Sequence, residues 1–211
     1  MLIQISVGPM KNFAYIISDN DTKKTAIVDP AWEIDKILDI TTKNNLNIIY
    51  IINTHSHFDH ISGNEEIIKQ TNAKLISYYK SPQKPDIPVS ENDEITLGNT
   101  TMKVIHTPGH CPDSICIIIG NKILTGDTLF VGNCGRIDLP GGNIDELYTS
   151  LFNKIYKLDD KLEVYPGHDY GEAPSITIEK NIKISKLLQA KNKKEFIKRM
   201  ADYEKNRKIG S

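Results

Sequence analysis

The sequence predicts an α/β fold. Short runs rich in β-branched residues, bounded by turn residues, alternate with segments whose apolar residues recur at helical spacing. Hydrophobic residues make up 39% and charged residues 25% of the 211 residues, which excludes disorder, collagen and coiled coil for the whole chain. Neither a linker nor an internal repeat is visible. We therefore expect a single domain over residues 1–211, with a core over about residues 2–170 and a C-terminal helical tail over about residues 172–208.

The first half of the chain alternates strands and helices. Predicted strands cover residues 2–7, 13–18, 25–28, 48–52 and 74–77, and predicted helices cover residues 33–44 and 61–70. The run 48–52 is apolar at nearly every position, which is typical of a strand buried on both faces. It leads directly into a cluster of histidines.

The second half begins after a proline-rich connection over residues 81–93. Predicted strands cover residues 95–97, 101–105, 115–119, 122–124 and 162–165, and predicted helices cover residues 144–158, 175–188 and 193–205. The helix over 144–158 is amphipathic, with leucine and isoleucine at spacings of three and four.

Composition narrows the class of partner and the compartment. Lys and Arg number 26 and Asp and Glu 27, a formal charge of -1 that argues against general nucleic-acid binding. The longest apolar runs are far too short to span a bilayer, and the N-terminus lacks the features of a secretory signal. The three cysteines form no Cys-x-x-Cys pair, which predicts neither a disulfide framework nor a thiolate zinc site. We expect a cytoplasmic protein, monomeric or homodimeric, that acts without nucleic acid or membrane.

Charge is distributed unevenly along the chain. Residues 180–211 hold eleven Lys or Arg against three Asp or Glu, a net charge of +8, which leaves -9 for residues 1–179. A solvated helix face is a better interpretation of this basic tail than an anion-binding patch.

Three histidines and an aspartate follow the apolar strand within six residues. In an extended segment, His55 and His57 point to the same side, while Asp59 and His60, at the turn into a helix, can face an adjacent point. This spacing suits two neighbouring cations. Imidazole and carboxylate are ligands typical of zinc, iron or manganese.

Further candidate ligands lie just past three later strands. His110 and His168 each follow a Pro-Gly pair, and Asp127 stands in a Gly-Asp-Thr segment. Loops that leave the ends of strands converge on a common mouth, where α/β folds usually place their sites. The candidate metal ligands are therefore His55, His57, Asp59, His60, His110, Asp127 and His168. The remaining histidine, His106, lies on or next to a strand and is interpreted as structural.

Four motifs in this order resemble the metallo-β-lactamase superfamily, and within it the glyoxalase II-like (hydroxyacylglutathione hydrolase) group. They are Thr-His-Ser-His-Phe-Asp-His from residue 54, Pro-Gly-His from residue 108, Gly-Asp-Thr-Leu-Phe from residue 126 and Pro-Gly-His from residue 166. The resemblance covers about residues 2–185 and implies a four-layered αββα sandwich with a dinuclear metal site between the sheets. It also implies that His55, His57 and His110 hold one metal ion, that Asp59, His60 and His168 hold the other, and that Asp127 bridges them.

The implied activity is metal-dependent hydrolysis of a thioester, such as an S-2-hydroxyacyl-glutathione-like substrate. Two divalent ions (zinc, or iron or manganese) about 3.5 Å apart lower the pKa of a shared water towards about 7. A metal-bound hydroxide would attack the carbonyl, with Asp59 and Asp127 as the catalytic carboxylates. The thiolate leaves without obligatory protonation, because thiol pKa values lie near 8.5. No cysteine nucleophile is needed, and Cys111 and Cys116 are interpreted as small buried residues.

The substrate contacts match the group only in part. Arg136 ends a segment that matches the group's Gly-Cys-Gly-Lys/Arg, which implies an anchor for a substrate carboxylate. Tyr170 matches a tyrosine that contacts the thiol carrier. The chain departs from the group at Asp138, where an aromatic residue is expected, and its tail is shorter than the helical domain that completes a glutathione pocket. The identity of the thiol carrier stays open.

A mononuclear iron persulfide dioxygenase is the alternative reading. Residues 164–171 and 195–197 resemble that branch of the superfamily, which would use one Fe(II) held by His55, His110 and Asp127 and act on glutathione persulfide or a similar persulfide. We favour the hydrolase because the segment 126–130 and Arg136 resemble the hydrolase group. Di-iron reductases, nucleases and drug-hydrolysing β-lactamases of the superfamily fit less well, and a non-catalytic metal-binding or interaction module is a minor alternative.

Overall fold

Two six-stranded sheets dominate the structure. The chain is described here by a computed structural model, which covers the backbone of residues 1–209 and the side chains of residues 1–205. The N-terminal sheet consists, in spatial order, of β1 (Leu2–Val7), β2 (Asn12–Ser18), β3 (Lys24–Val28), β4 (Asn47–Ile52), β5 (Lys74–Tyr78) and β6 (Ile87–Val89). The first three strands pair antiparallel, and β3 to β6 pair parallel.

The C-terminal sheet runs through the second half of the chain. It consists of β7 (Glu94–Leu97), β8 (Thr100–His106), β9 (Ile115–Ile119), β10 (Lys122–Gly126), β11 (Glu163–Pro166) and β12 (Ile176–Thr177). Only β10 and β11 pair parallel in this sheet. The helices are α1 (Ile34–Lys43), α2 (Phe58–Ile61), α3 (Asn64–Thr71), α4 (Ile144–Tyr148), α5 (Ile178–Ile184) and α6 (Lys193–Ile209).

Alternation along the strands explains how the layers stack. Ile17 and Ile52 of the N-terminal sheet pack with Met102 and Leu124 of the C-terminal sheet in one buried cluster, so the sheets lie face to face. The neighbouring residue Ile16 points to the opposite side and packs against α1 and α3. Helices α4, α5 and α6 cover the outer face of the C-terminal sheet. The predicted four-layered αββα sandwich is therefore confirmed.

Several element predictions were wrong in detail. The proline-rich connection contains β6, which tolerates Pro88 because β6 is an edge strand and needs no ladder hydrogen bond on its outer side. The helix expected over 61–70 is α3, which begins only at Asn64, and Ile61 is the last residue of the short α2 before it. The helix expected over 144–158 is α4, continued by a π-helical turn (Thr149–Lys154) and a 3₁₀ turn (Ile155–Lys157).

The C-terminal tail also differs from its prediction. The segment expected as one helix over 175–188 begins with β12, which extends the C-terminal sheet, and continues as α5. The Thr177 hydroxyl caps the first turn of α5 by accepting from the backbone N–H of Lys180 at 3.3 Å. Phe196 and Met200 of α6 are buried against that sheet. The prediction of one domain over residues 1–211 stays a prediction, and its last two residues lie outside the described part of the chain. Among the described residues, no helix combines the length and apolar character that crossing a membrane requires.

Candidate metal centre

All seven predicted ligands meet at one edge of the sandwich. His55 and His57 leave the end of β4, and Asp59 and His60 lie on α2. The other three follow strands of the opposite sheet, His110 after β8, Asp127 after β10 and His168 after β11. Both sheets therefore contribute to the same site, as the convergence of strand ends predicted.

The first group consists of three histidines on one side of the site. The ligand atoms of His55, His57 and His110 all lie within 4.8 Å of one another. Nε2 of His110 is 2.9 Å from Nδ1 of His57. Nε2 of His55 is buried and has no hydrogen-bond partner. Three ring nitrogens therefore face a common point.

The second group combines one carboxylate with two imidazoles. The ligand atoms of Asp59, His60 and His168 also lie within 4.8 Å of one another. Nε2 of His60 is 3.2 Å from Nε2 of His168, and Oδ2 of Asp59 is 3.6 Å and 3.3 Å from these two nitrogens.

Asp127 lies between the two groups and is almost completely buried. Its Oδ1 is 3.3 Å from Nε2 of His60, and its Oδ2 is 3.3 Å from Nε2 of His168 and 3.6 Å from Nε2 of His110. One carboxylate therefore reaches ring nitrogens of both groups.

Hydrogen bonds on the far side of three rings orient their lone pairs towards the centre. Nδ1 of His110 lies 2.8 Å from the carbonyl oxygen of Arg136, and Nδ1 of His168 lies 2.9 Å from that of Met10. Nδ1 of His60 lies 3.1 Å from Oδ2 of Asp29. Because carbonyl and carboxylate oxygens only accept, each Nδ1 donates a proton and each Nε2 is left as a ligand atom.

These residues fit a pair of metal ions on three observations. Nε2 of His55 and Oδ1 of Asp127 are buried polar atoms without a hydrogen-bond partner, and such atoms are costly unless a ligand satisfies them. A Cβ on Gly167 would lie 2.3 Å from Oδ1 of Asp127, so the backbone is kept clear of this carboxylate by a glycine. Imidazole and carboxylate together form a donor set typical of zinc, iron or manganese.

Burial and close charges shift the protonation of the centre in opposite directions. Burial, with further repulsion from His60, holds the pKa of His55 well below its usual range, which keeps this ring neutral. Burial would also lower the pKa of His168, but the Asp127 charge and hydrogen bonds to Asp127 and Asp59 outweigh it and raise the pKa to about 10. Burial would raise the pKa of Asp127, yet the charges of His60 and His168 hold it well below its usual range. A metal ion bound at His168 would therefore have to displace a proton.

Two residues that support the centre were missed by the sequence reasoning. Asp29 accepts from the backbone N–H of Thr54 at 2.7 Å, from its hydroxyl at 2.6 Å and from His60. Asn12 donates to Oδ2 of Asp59 at 3.0 Å and to its carbonyl at 2.8 Å. Asp29 directly follows β3, and an aspartate at the end of a buried strand is a signal that could have indicated it. No pattern in the sequence indicates Asn12.

Asp29→Asn is expected to weaken metal binding about ten- to a hundredfold without unfolding the protein. The substitution keeps the volume of the side chain but removes the negative oxygen that holds Nδ1 of His60, and outer partners of metal ligands contribute on this scale. Competition with a chromophoric zinc chelator measures the affinity. Asp160→Asn, an exposed aspartate on a distant turn, is the matched control. Equal affinity in the two variants would show that Asp29 does not support the ligand.

His106 lies outside the centre, in agreement with its structural interpretation. Its ring stacks on Tyr78 at a centroid separation of 3.9 Å, and Nε2 lies 2.9 Å from the carbonyl oxygen of Pro112. The first contact joins the end of β8 to the end of β5 in the opposite sheet, and the second stays within the loop that follows β8.

The three cysteines are buried and unpaired with one another. Burial raises the pKa of the Cys111 thiol to about 11 and those of Cys116 and Cys134 to about 12. None has the depressed pKa of a nucleophilic cysteine, which agrees with the interpretation of Cys111 and Cys116 as small buried residues.

A cavity of about 610 Å³ opens above the centre. Arg136 and Tyr170, the predicted substrate contacts, both lie on its wall. The Tyr170 ring stacks on His168 with centroids 4.6 Å apart. The Arg136 guanidinium is already paired with Asp138, through Nε to Oδ1 at 2.6 Å and Nη2 to Oδ2 at 2.9 Å. Tyr203 of α6 also lines the cavity.

Comparison with known proteins agrees with this geometry. The family model of the metallo-beta-lactamase superfamily matches residues 7–168. The chain is 30% identical over 193 residues to the "Probable polyketide biosynthesis zinc-dependent hydrolase PksB" of Bacillus subtilis (strain 168), with 89% of this chain and 86% of that protein covered. It is 36% identical over 165 residues to a hydroxyacylglutathione hydrolase of Francisella tularensis subsp. novicida, with 76% and 64% covered.

Solved structures extend the similarity to the whole fold. The crystal structure of ETHE1 from Myxococcus xanthus superposes with a TM-score of 0.91 at 30% identity, and the match covers 96% of this chain and 91% of that one. The similarity therefore includes most of the C-terminal tail. The chain covers 91% of the ETHE1 structure but only 64% of the Francisella hydrolase. About a third of that hydrolase therefore lies outside the match.

Proposed function

The chain belongs to the metallo-beta-lactamase superfamily, and from this premise we propose that it is a hydrolase that cleaves a thioester with the help of two divalent metal ions. Relatives of the chain include hydroxyacylglutathione hydrolases and a probable zinc-dependent hydrolase, so a metal-dependent hydrolase family is shown. The substrate, the number of ions and the roles of single residues are the proposal.

The position of Asp127 carries this proposal. One buried carboxylate lies within 3.6 Å of ring nitrogens from both three-residue groups. This arrangement suits a carboxylate that bridges two ions, whereas a single ion would need contact with only one group. We assign His55, His57 and His110 to one ion, Asp59, His60 and His168 to the other, and Asp127 to both.

The side chains around the centre prepare the reaction. When bound, the ions would supply a water of lowered pKa and positive charge beside the reacting carbonyl. The Asn12 side-chain amide holds the carboxylate of Asp59 in place by donating to it, and the Asp29 carboxylate orients His60 by accepting from its Nδ1. Phe130, buried on the cavity wall, packs against Tyr170 with centroids 5.4 Å apart and excludes water from that side. The leaving thiolate needs no general acid, because thiol pKa values lie near 8.5.

The proposed substrate is an acyl thioester of the kind represented by S-2-hydroxyacyl-glutathione. Arg136 and Tyr170 lie on the wall of the cavity, where we propose that they contact the thiol carrier. The acyl carbonyl would then lie over Asp59 and Asp127, the two carboxylates of the centre that line the same cavity.

Metal content and turnover together test the hydrolase. We expect about two divalent ions per chain after anaerobic purification, and release of free thiol from S-lactoylglutathione or from other acyl thioesters, followed with a thiol reagent. Treatment with a chelator should abolish turnover, and added zinc should restore it. One iron per chain, with oxygen consumed on glutathione persulfide and no thioester cleaved, would replace the hydrolase by the alternative below.

The second candidate is a persulfide dioxygenase with one Fe(II) on His55, His110 and Asp127. It is favoured by the 3.2 Å separation of the His60 and His168 Nε2 atoms, which is also a hydrogen-bond distance and would satisfy both rings without a second ion. Oxygen uptake on glutathione persulfide, measured beside the thioester assay on the same preparation, separates the two reactions.

A further inference from the structure

We propose that Tyr15 and Gln4 are positioning residues for the loop over residues 166–174. This loop runs from the end of β11 towards β12 and carries the candidate ligand His168 and the predicted substrate contact Tyr170. By holding the loop against the hairpin of β1 and β2, the two residues fix the nitrogen that His168 offers to the ion of the second group. This inference rests on the proposed two-ion centre and adds residues that act through the loop.

The register of the first two strands brings Tyr15 and Gln4 together. They are direct cross-strand partners in the antiparallel pairing of β1 with β2, so their side chains lie on the same face of the sheet. This is the inner face, because Phe13 and Ile17, two residues before and after Tyr15, belong to the buried cluster between the sheets. Tyr15 therefore points towards the C-terminal sheet, where its ring lies edge-on to that of Tyr165 of β11 at a centroid separation of 6.1 Å.

A chain of hydrogen bonds leads from this pair to both ends of the loop. The Tyr15 hydroxyl donates to the carbonyl oxygen of Pro166, two residues before His168. It accepts from Nε2 of Gln4 at 3.1 Å, and the same nitrogen donates its other proton to the carbonyl oxygen of Pro174 at 3.0 Å. Burial raises the pKa of Tyr15 well above its usual range, so the phenol keeps the proton that it donates. The loop is therefore bound to the hairpin where it begins and where it ends.

Between these ends, the loop lies against the start of β2 and the turn before it. The Phe13 N–H donates to the Gly167 carbonyl oxygen at 2.8 Å, and Nδ1 of His168 lies 2.9 Å from the Met10 carbonyl oxygen. The direction in which the His168 ring presents Nε2 therefore depends on where the hairpin holds the loop.

The ligands that the hairpin contacts belong to one of the two groups. His168 is bound through Met10, and Asp59 accepts from Asn12, and both ligands are in the second group. The histidines of the first group come from the segment after β4 and the loop after β8. Loosening the hairpin contacts should therefore weaken binding of one ion and spare the other, whereas a general loss of stability would show no such preference.

Two variants remove the proposed contacts, and a third serves as a matched control. Tyr15→Phe deletes one hydroxyl, and Gln4→Met deletes both donated hydrogen bonds while it keeps the length of the side chain. Tyr156→Phe makes the same chemical change as Tyr15→Phe at a buried hydroxyl that has no hydrogen-bond partner among the described residues. Circular dichroism melting confirms that each variant is folded.

Two measurements report on the ions and on the loop separately. Competition with a chromophoric chelator gives the stepwise Kd values for zinc, and His168→Ala identifies the step that belongs to the second group. Hydrogen exchange followed by mass spectrometry on the zinc-loaded proteins gives the opening of the loop over residues 166–174, with β9 as an internal reference.

We expect Tyr15→Phe to weaken binding of the ion of the second group about tenfold, at the lower end of what outer partners of metal ligands contribute, and to change the other Kd less than twofold. Amide exchange in the loop should rise about tenfold, as loss of one buried hydrogen bond predicts, and exchange in β9 should change less than twofold. Gln4→Met should change both quantities in the same direction by about threefold, and Tyr156→Phe should match wild type.

The inference is overturned if Tyr15→Phe leaves loop exchange, or the affinity for the ion of the second group, within twofold of wild type. Equal weakening of both ions, or equal rises of exchange in β9 and in the loop, would also overturn it, since either pattern indicates general loosening. A wild type that binds a single ion contradicts the proposed two-ion hydrolase, and loop exchange in Tyr15→Phe then decides the role of Tyr15 by itself. The expected pattern without thioester turnover would refute the hydrolysis alone.

Discussion

Asp127→Asn is expected to abolish thioester turnover and to lower metal affinity more than about a hundredfold. The carboxylate contacts ring nitrogens of both ligand groups, and an amide cannot offer two anionic oxygens to two ions. Even outer partners of metal ligands contribute about ten- to a hundredfold, so a residue between both groups should contribute more. The substitution keeps the shape of the buried side chain, and we expect the sandwich to stay folded.

Metal per chain by mass spectrometry, thiol release and circular dichroism measure the three outcomes separately. Asp138→Asn is the matched control, because it makes the same chemical change outside the two ligand groups, on the partner of the cavity-lining Arg136, and should keep its full metal content. Unchanged metal content in Asp127→Asn would refute the bridging assignment.

Gly167→Ala is expected to reduce activity about a hundredfold through a single added methyl group. The new Cβ would lie 2.3 Å from Oδ1 of Asp127 and 2.9 Å from Cε1 of His60, far inside contact distance. The backbone cannot yield easily, because the Gly167 N–H donates to Gly126 and its carbonyl accepts from Phe13, both at 2.8 Å. Asp127 must therefore move, and a misplacement of about 1 Å at a reacting centre costs about a hundredfold in rate.

Overpacking of this kind also destabilises by about 1–3 kcal/mol, which lowers Tm by about 2–12 °C in a chain of this size. Gly120→Ala is the control. Its Cβ would meet nothing within 4 Å, although its φ of +55° adds backbone strain. We expect Gly120→Ala to lose some thermal stability and to keep its metal content. Gly167→Ala should lose both thermal stability and metal content. Full metal content in Gly167→Ala would contradict the placement of Asp127.

The convergence of the seven candidate ligands could be predicted because these residues carry a local signal. Histidines and aspartates placed directly after strand ends are brought together by the topology of the sheets, whatever the details of packing. Asn12 could not be predicted, because its partner Asp59 is 47 residues away and only the fold makes them neighbours. The pairing of Arg136 with Asp138 was also missed, although they are two residues apart. Helices and strands have a regular repeat that predicts where side chains point, and a loop has none.

The layers were predictable for a similar reason. Apolar residues in β2 and β4 extend over both faces, which requires cover on each side, and the helical segments supply it. The tail was less predictable, because β12 has only two residues and its strand character comes from pairing with β11 rather than from its own sequence. The π-helical turn after α4 has no sequence signal that we can identify.

The burial of the cysteines has a consequence for an enzyme that would release thiols. With a pKa of about 11 or 12, each of Cys111, Cys116 and Cys134 is a thiolate in only about one molecule in ten thousand or fewer at pH 7. Mixed disulfides form by attack of a thiolate on another sulfur, and these three thiols are buried and overwhelmingly protonated. Under the proposed function, the protein can work among its own products and their disulfides without becoming covalently trapped by them.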